Sequence, residues 1–181
     1  MARAGGAFTL IELLVVIYII GILAALITGL TSASAPAKVR NRVSVELQGH
    51  RNAIEAYHKK YGFYPPDNPK SDALPPLYYE LTGSNMPPAV ATAMGLKGIA
   101  NTELNDRNQP FNFHPGLKPT GVAKDPSSSA YYLVVPYAGP SGAFNTWHYR
   151  SSKPEHNTED YDLWADVVVG GKNFTISNWK E

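Results

Sequence analysis

The chain places a single carboxylate, Glu12, at the head of an apolar run that carries no charge from Leu13 to Leu30. As a helix this run covers roughly 27 Å at 1.5 Å per residue, close to the hydrocarbon thickness of a bilayer. An ionised carboxylate held beside lipid is costly, so Glu12 has to stay near the headgroups or find a cation. A chain terminus can supply one. A cut between Ala7 and Phe8 would create an α-amino group one helical turn from Glu12, within reach of the same carboxylate on a neighbouring copy.

A cleavable secretory signal explains the run less well, although Ala33-Ser34-Ala35 has the small-x-small pattern of its cleavage site. The run is longer than a usual signal core, Glu12 interrupts the approach to it, and Pro36 would become the first mature residue. Charge asymmetry points the other way from the first reading. Arg3 precedes the run and Lys38, Arg40 and Arg42 follow it, so the positive-inside rule alone would leave the C-terminal part in the cytoplasm.

Of 181 residues, those from 36 onward suffice for one domain of ordinary size. The net charge of +1 gives no ground for expecting nucleic acid or an anionic surface as partner. Gly and Pro number fifteen each and fall mostly after Tyr61, which predicts many turns and loops. With no cysteine, those loops must be pinned by packing, prolines or a bound ion.

Pro36 predicts a bend or loosening in the helix, which then resumes over 37–61. Val39, Val43, Leu47, His50, Ile54, Tyr57 and Tyr61 recur at steps of three or four, the spacing of one helical face. Lys38, Arg42, Glu46, Arg51, Glu55 and Lys59 occupy the other face, and Gly49 predicts a close approach by another element. Gly62, followed by Pro65 and Pro66, ends the helix.

The segment 62–129 reads as a variable loop region with short helices near 75–83 and 89–96, packed through Tyr78, Tyr79, Phe111 and Phe113. Residues 130–181 read as a C-terminal sheet, with strands near 130–137, 145–150, 161–169 and 173–176 joined by short turns. Short connections favour antiparallel pairing. The expected class is α+β, a long N-terminal helix packed on a small antiparallel sheet.

The block AFTLIELLVVIYIIGILAAL, Ala7 to Leu26, resembles the cleavage and methylation segment of type IV pilins and type II secretion pseudopilins. A small residue before the cut, Phe after it and Glu at the fifth mature position are matched by Ala7, Phe8 and Glu12. The family usually has Gly before the cut; a cut between Gly6 and Ala7 would restore Gly but place Glu12 sixth. Ile54 to Pro65, ending Tyr61-Gly62-Phe63-Tyr64-Pro65, resembles the exit of the long pseudopilin helix. The run from Tyr161 to Trp179 is similar to the end of the major type II pseudopilin.

This resemblance implies a pilin-like fold with a leader at 1–7, a transmembrane and assembly helix at 8–35 and a periplasmic domain at 36–181. It implies processing at Ala7 and Phe8 by a prepilin peptidase, and assembly through Phe8 and Glu12 into a helical filament. The expected function is a structural subunit of a type II secretion pseudopilus, without enzymatic turnover. The subunit would be held in the bacterial inner membrane, contacting lipid, before the secretion machinery assembles it. A type IV pilus subunit and an anchored or secreted polysaccharide-binding protein are the alternatives.

Major pseudopilins bind calcium in an acidic Gly/Asp loop, which is shortened here to Val167-Val168-Val169 before the glycines. Asp160, Asp162 and Asp166 share strand parity and could converge on a calcium ion, or form a solvated acidic face. His50, His58, His114, His148 and His156 lack the spacings of a zinc or hydrolytic site. No G-x-S-x-G elbow surrounds any serine. Trp147, Trp164 and Trp179 are candidates for a sugar platform, or for core and interface.

Overall fold

The computed structural model describes residues 9–103, 110–142 and 144–180, with residues 26–35 described by their backbone alone. Two units are distinguished, Met1–Val39 and Arg40–Glu181. The architecture is α+β, with a long N-terminal helix and small antiparallel sheets.

Helix α1 runs Leu10–Tyr61 as one element with Pro36, where the sequence predicts a bend or loosening, inside it. It ends as expected at Gly62, whose φ of 82° is the left-handed conformation and whose N–H donates to the His58 carbonyl at 2.7 Å. In the first unit every side chain from Thr9 to Ala25 is exposed. Among the described residues no helix is long and apolar enough to cross a membrane. The expected run to Leu30 passes beyond the described side chains after Ala25.

In the second unit the helical stripe is buried as its spacing predicts. Val43, Leu47, His50, Ile54 and Tyr57 are all in the core. At Gly49 a Cβ would meet His114 only at 3.8 Å, an ordinary contact, so the approach expected there does not demand glycine.

Among the described residues three short α-helices follow: α2 (Leu77–Thr82), α3 (Pro88–Met94) and α4 (Ala100–Glu103). The first two lie where the prolines and glycines predict them; α4 was not expected. Gly83 closes α2 at a φ of 71°, and a Cβ there would lie 2.7 Å from Pro110 Cβ, so both backbone and space require glycine.

The single expected sheet is two. Strand β1 (Val122–Lys124), which falls in the region read as loop, pairs antiparallel with β2 (Tyr131–Leu133). Strands β3 (His148–Arg150), β4 (Asp162–Val169) and β5 (Lys172–Ser177) form the other sheet in that order, also antiparallel. The chain after β2 changes partner: Val134 bridges Thr146, and Trp147 N–H donates to the Leu133 carbonyl at 3.0 Å. This handover links the two sheets and explains why one strand was expected at 130–137.

On β4 the odd residues Leu163, Ala165 and Val167 are buried, while Trp164, Asp166 and Val168 are partly exposed. That is the alternation of a half-buried strand. A satellite cluster of Val90, Met94, Ala130, Tyr132 and Val134 packs α3 against β2.

The cysteine-free loops are pinned by carboxylates that receive backbone N–H groups. Asp67 accepts from the amides of Ser151 and Ser152, both at 3.0 Å, tying the post-helix loop to the end of β3. Glu80, buried in α2, accepts from the amides of Ala100 and Asn101 at 2.9 Å and from the Tyr57 hydroxyl at 3.0 Å. It therefore ties α1, α2 and α4 together at one point.

Candidate functional site

The N-terminus of α1 begins with a reciprocal pair. Thr9 donates to Glu12 Oε2 from its backbone N–H at 2.9 Å and from its hydroxyl at 2.8 Å. Glu12 N–H in turn faces Thr9 Oγ1 at 3.3 Å and the Thr9 carbonyl at 3.1 Å. This is a capping box, in which Thr and Glu three residues apart satisfy donors that the first helical turn leaves open. The T-x-x-E spacing of Thr9 and Glu12 is the signal by which the sequence shows this box. Ala7 and Phe8, the expected processing residues, lie outside the described residues.

From Leu10 onward, large apolar side chains occupy every side of the helix and face outward. Leu10 is 83% exposed, Ile11 70% and Tyr18 68%, with Leu13, Leu14, Ile17, Ile20 and Leu23 exposed as well. A helix that is apolar all round is stable only when covered, and an exposed apolar surface of this extent marks an interaction site. The site is thus a capped helix end with one carboxylate, continued by an uncovered apolar cylinder.

The three candidate calcium ligands have separate engagements. Asp160 precedes β4 and accepts from the Tyr64 hydroxyl at 2.9 Å. Asp162, buried, accepts from the amides of Glu155 at 2.6 Å, His156 at 2.9 Å and Asn157 at 2.9 Å. Burial alone would raise the Asp162 carboxyl, but these amides more than offset it and hold it below the ordinary value. Asp166 accepts from Thr175 Oγ1 at 2.5 Å. Asp162 and Asp166 do share a strand face, as parity predicts, yet the 155–157 turn encloses one of them. Among the described residues no group of three or more acidic, imidazole or thiol side chains is arranged to hold a metal ion.

Two histidines that no motif connected do meet. His50 Nδ1 of α1 lies 3.0 Å from His114 Nε2, and the His50 ring stands edge-on to the buried Trp147. Burial, reinforced by the nearby His114, pushes the His50 pKa down to about 3. Two further histidines cover indoles: His148 stacks on Trp164 with centroids 4.9 Å apart, and His156 on Trp179 at 3.9 Å. Each of these indoles therefore already has an imidazole against one ring face, and Trp147 is wholly buried.

Comparison with models of known protein families, with curated proteins and with solved structures finds no match for this chain.

Proposed function

We propose that this chain is a structural subunit of a type II secretion pseudopilus, similar to the major pseudopilin. The observation that carries the reading is the N-terminal surface: an all-round apolar helix from Leu10 to Leu23 headed by the one carboxylate, Glu12. Lipid would cover that surface before assembly, and the same surface of other copies would cover it in the fibre. The domain from residue 36 onward would lie in the periplasm, and a prepilin peptidase would free the Phe8 amine. The function is assembly, with no chemical turnover.

In the unassembled chain Glu12 is satisfied by Thr9 of its own helix. In the fibre it would exchange or share those donors with the Phe8 amine of a neighbouring copy. At an effective dielectric near 20, such a pair at 4 Å is worth roughly 4 kcal/mol before desolvation, enough to favour one register over its neighbours. Preference for a secretion pseudopilus over a type IV pilus rests on the likeness of the segment from Tyr161 to Trp179 and on the lack of any cysteine to form a disulfide.

The test is intact mass and N-terminal sequencing of protein recovered from membranes, with Glu12→Ala beside the wild type. A mature chain starting at Phe8, with Glu12→Ala inserted in membranes but poor in fibres, supports the reading. A chain starting near Pro36, or normal fibres from the variant, overturns it.

A further inference from the structure

The chain covers the edges of its larger sheet with its own groups, except along β5. On β3, Tyr149 N–H donates to the Asp72 carbonyl at 2.9 Å. Where β4 runs past β3, Val168 N–H donates to the Ala138 carbonyl at 2.9 Å and Asn145 Nδ2 to the Asp166 carbonyl at 2.6 Å. On β5 the tight Gly170-Gly171 turn and the bond from Asn178 N–H to the Leu163 carbonyl, 3.0 Å, fix which residues face β4. Lys172, Phe174 and Ile176 turn their backbone groups toward β4, so those of Asn173, Thr175 and Ser177 point away from the sheet. Among the described residues nothing bonds to these outward N–H and C=O groups. The register is unbroken and the strand holds no proline, so neither a bulge nor a proline guards the edge.

Phe174 and Ile176 continue the buried face of the sheet, opposite Val167 and Ala165, yet Phe174 is only half-buried. The Arg40 guanidinium stands 5.3 Å from the centre of the Phe174 ring. Neither Arg40 nor Lys172 has a carboxylate partner among the described residues. The edge therefore presents backbone groups at every second residue, about 6.8 Å apart. It has an apolar rim on one face, Asn173, Thr175 and Ser177 on the other, and two cations at one end.

We propose that β5 takes a further strand from another polypeptide: an extended segment antiparallel to it, apolar and polar in alternation, with an acidic residue at its C-terminal end beside Lys172 and Arg40. A second copy of this chain fits the edge less well. Arg40 lies at the start of β5, and Tyr64, just past α1, packs on Tyr161, just before β4, so β5 runs in the direction of the 40–61 part of α1. Antiparallel self-pairing would point the Arg40 ends of two copies in opposite directions, whereas copies held in one membrane present them the same way. Parallel self-pairing would set the apolar face of one sheet beside the polar face of the other. Setting the second copy aside rests on the pseudopilus reading; the bare edge does not.

The test uses the full ¹⁵N-labelled chain in detergent micelles, with the peptide acetyl-Thr-Val-Thr-Val-Thr-Glu-amide as probe. At about 10 mM peptide, hydrogen exchange of the Asn173, Thr175 and Ser177 amides should slow by about tenfold, as for a dissociation constant of about 1 mM. Phe174 and Ile176, already bonded to β4, should change little. N-methylation of the third peptide residue, whose N–H would face Thr175, should abolish the effect, and N-methylation of the fourth should spare it. Lysine in place of the peptide's glutamate should weaken binding severalfold. Asn173→Pro, at an edge position that tolerates proline, should remove the protection while the melting temperature holds within a few degrees. No slowing at that peptide concentration, equal slowing with the third residue methylated, or indifference to the peptide's charge would overturn the proposal. So would slowing of the same amides without peptide as protein concentration rises, because a second copy would then fill the edge. Processing at Phe8 is read separately, so a peptide that fails to bind leaves the pseudopilus reading standing.

Discussion

Thr9 and Glu12 satisfy one another: two Thr9 donors converge on a single Glu12 oxygen, at 2.9 and 2.8 Å. The carboxylate that would register one copy on the next therefore has a local task in the isolated chain. Capping and intermolecular pairing can be separated, because glutamine also closes a capping box but carries no charge.

Glu12→Gln should keep the helix start and lose fibre assembly. Thr9→Val should cost about 1 kcal/mol of helix-end stability while leaving the charge in place. Amide exchange at residues 10–13 reads the cap, and electron microscopy of sheared filaments reads assembly. If Glu12→Gln assembles as well as wild type, the charge is not what sets the register.

His50 makes the fold sensitive to acid. Its folded pKa, about 3, lies below the unfolded 6.5, so the unfolded state binds the extra proton. The stability it contributes is complete above pH 6.5 and falls by about 1.4 kcal/mol per pH unit as pH drops toward 3. Thermal melts at pH 7, 6, 5 and 4 should show this slope in the wild type and a flatter one in His50→Gln; parallel slopes would remove His50 as the cause.

Glu80 behaves in the opposite sense. Burial raises its carboxyl despite the amides of Asn101 and Ala100, so its ionised form is strained and mild acid relieves it as pH falls through the raised value. Removing it is a separate matter, since Glu80→Ala leaves two amides and the Tyr57 hydroxyl without their acceptor. A loss of about 3 kcal/mol is expected, read from urea unfolding. A loss below 1 kcal/mol would mean that water replaces the carboxylate.

Asp162 supplies to the 155–157 turn what an ion would otherwise have to supply. Adding calcium or a chelator should leave the melting temperature unchanged, whereas Asp162→Asn should lower it by several degrees, about 2 kcal/mol. A calcium-dependent rise in the wild type would return Asp160, Asp162 and Asp166 to the status of ligands.

Much of the fold could be read ahead. The stripe Val43, Leu47, His50, Ile54 and Tyr57 is buried because its spacing admits only one helical face, and Gly62 and Gly83 stop their helices for the backbone reason that marks them in sequence. Strand β1 and helix α4 were missed since each is too short to show a period; their partners, Leu133 opposite Val122 and Glu80 beneath Ala100, supply what local pattern lacks. The meeting of His50 with His114 was equally hidden, the two lying 64 positions apart with no spacing rule to link them. Glu12 stands out in the sequence by its position, and its nearest partner, Thr9, lies only three residues away.

The carboxylates that fasten the loops have a consequence for where this domain can fold. Asp67, Glu80 and Asp162 close chain segments by accepting backbone amides, and the sequence contains no thiol. Such closures require no oxidant. These closures are the same on the reducing and the oxidising side of a membrane, the loops answering to protons and not to electrons.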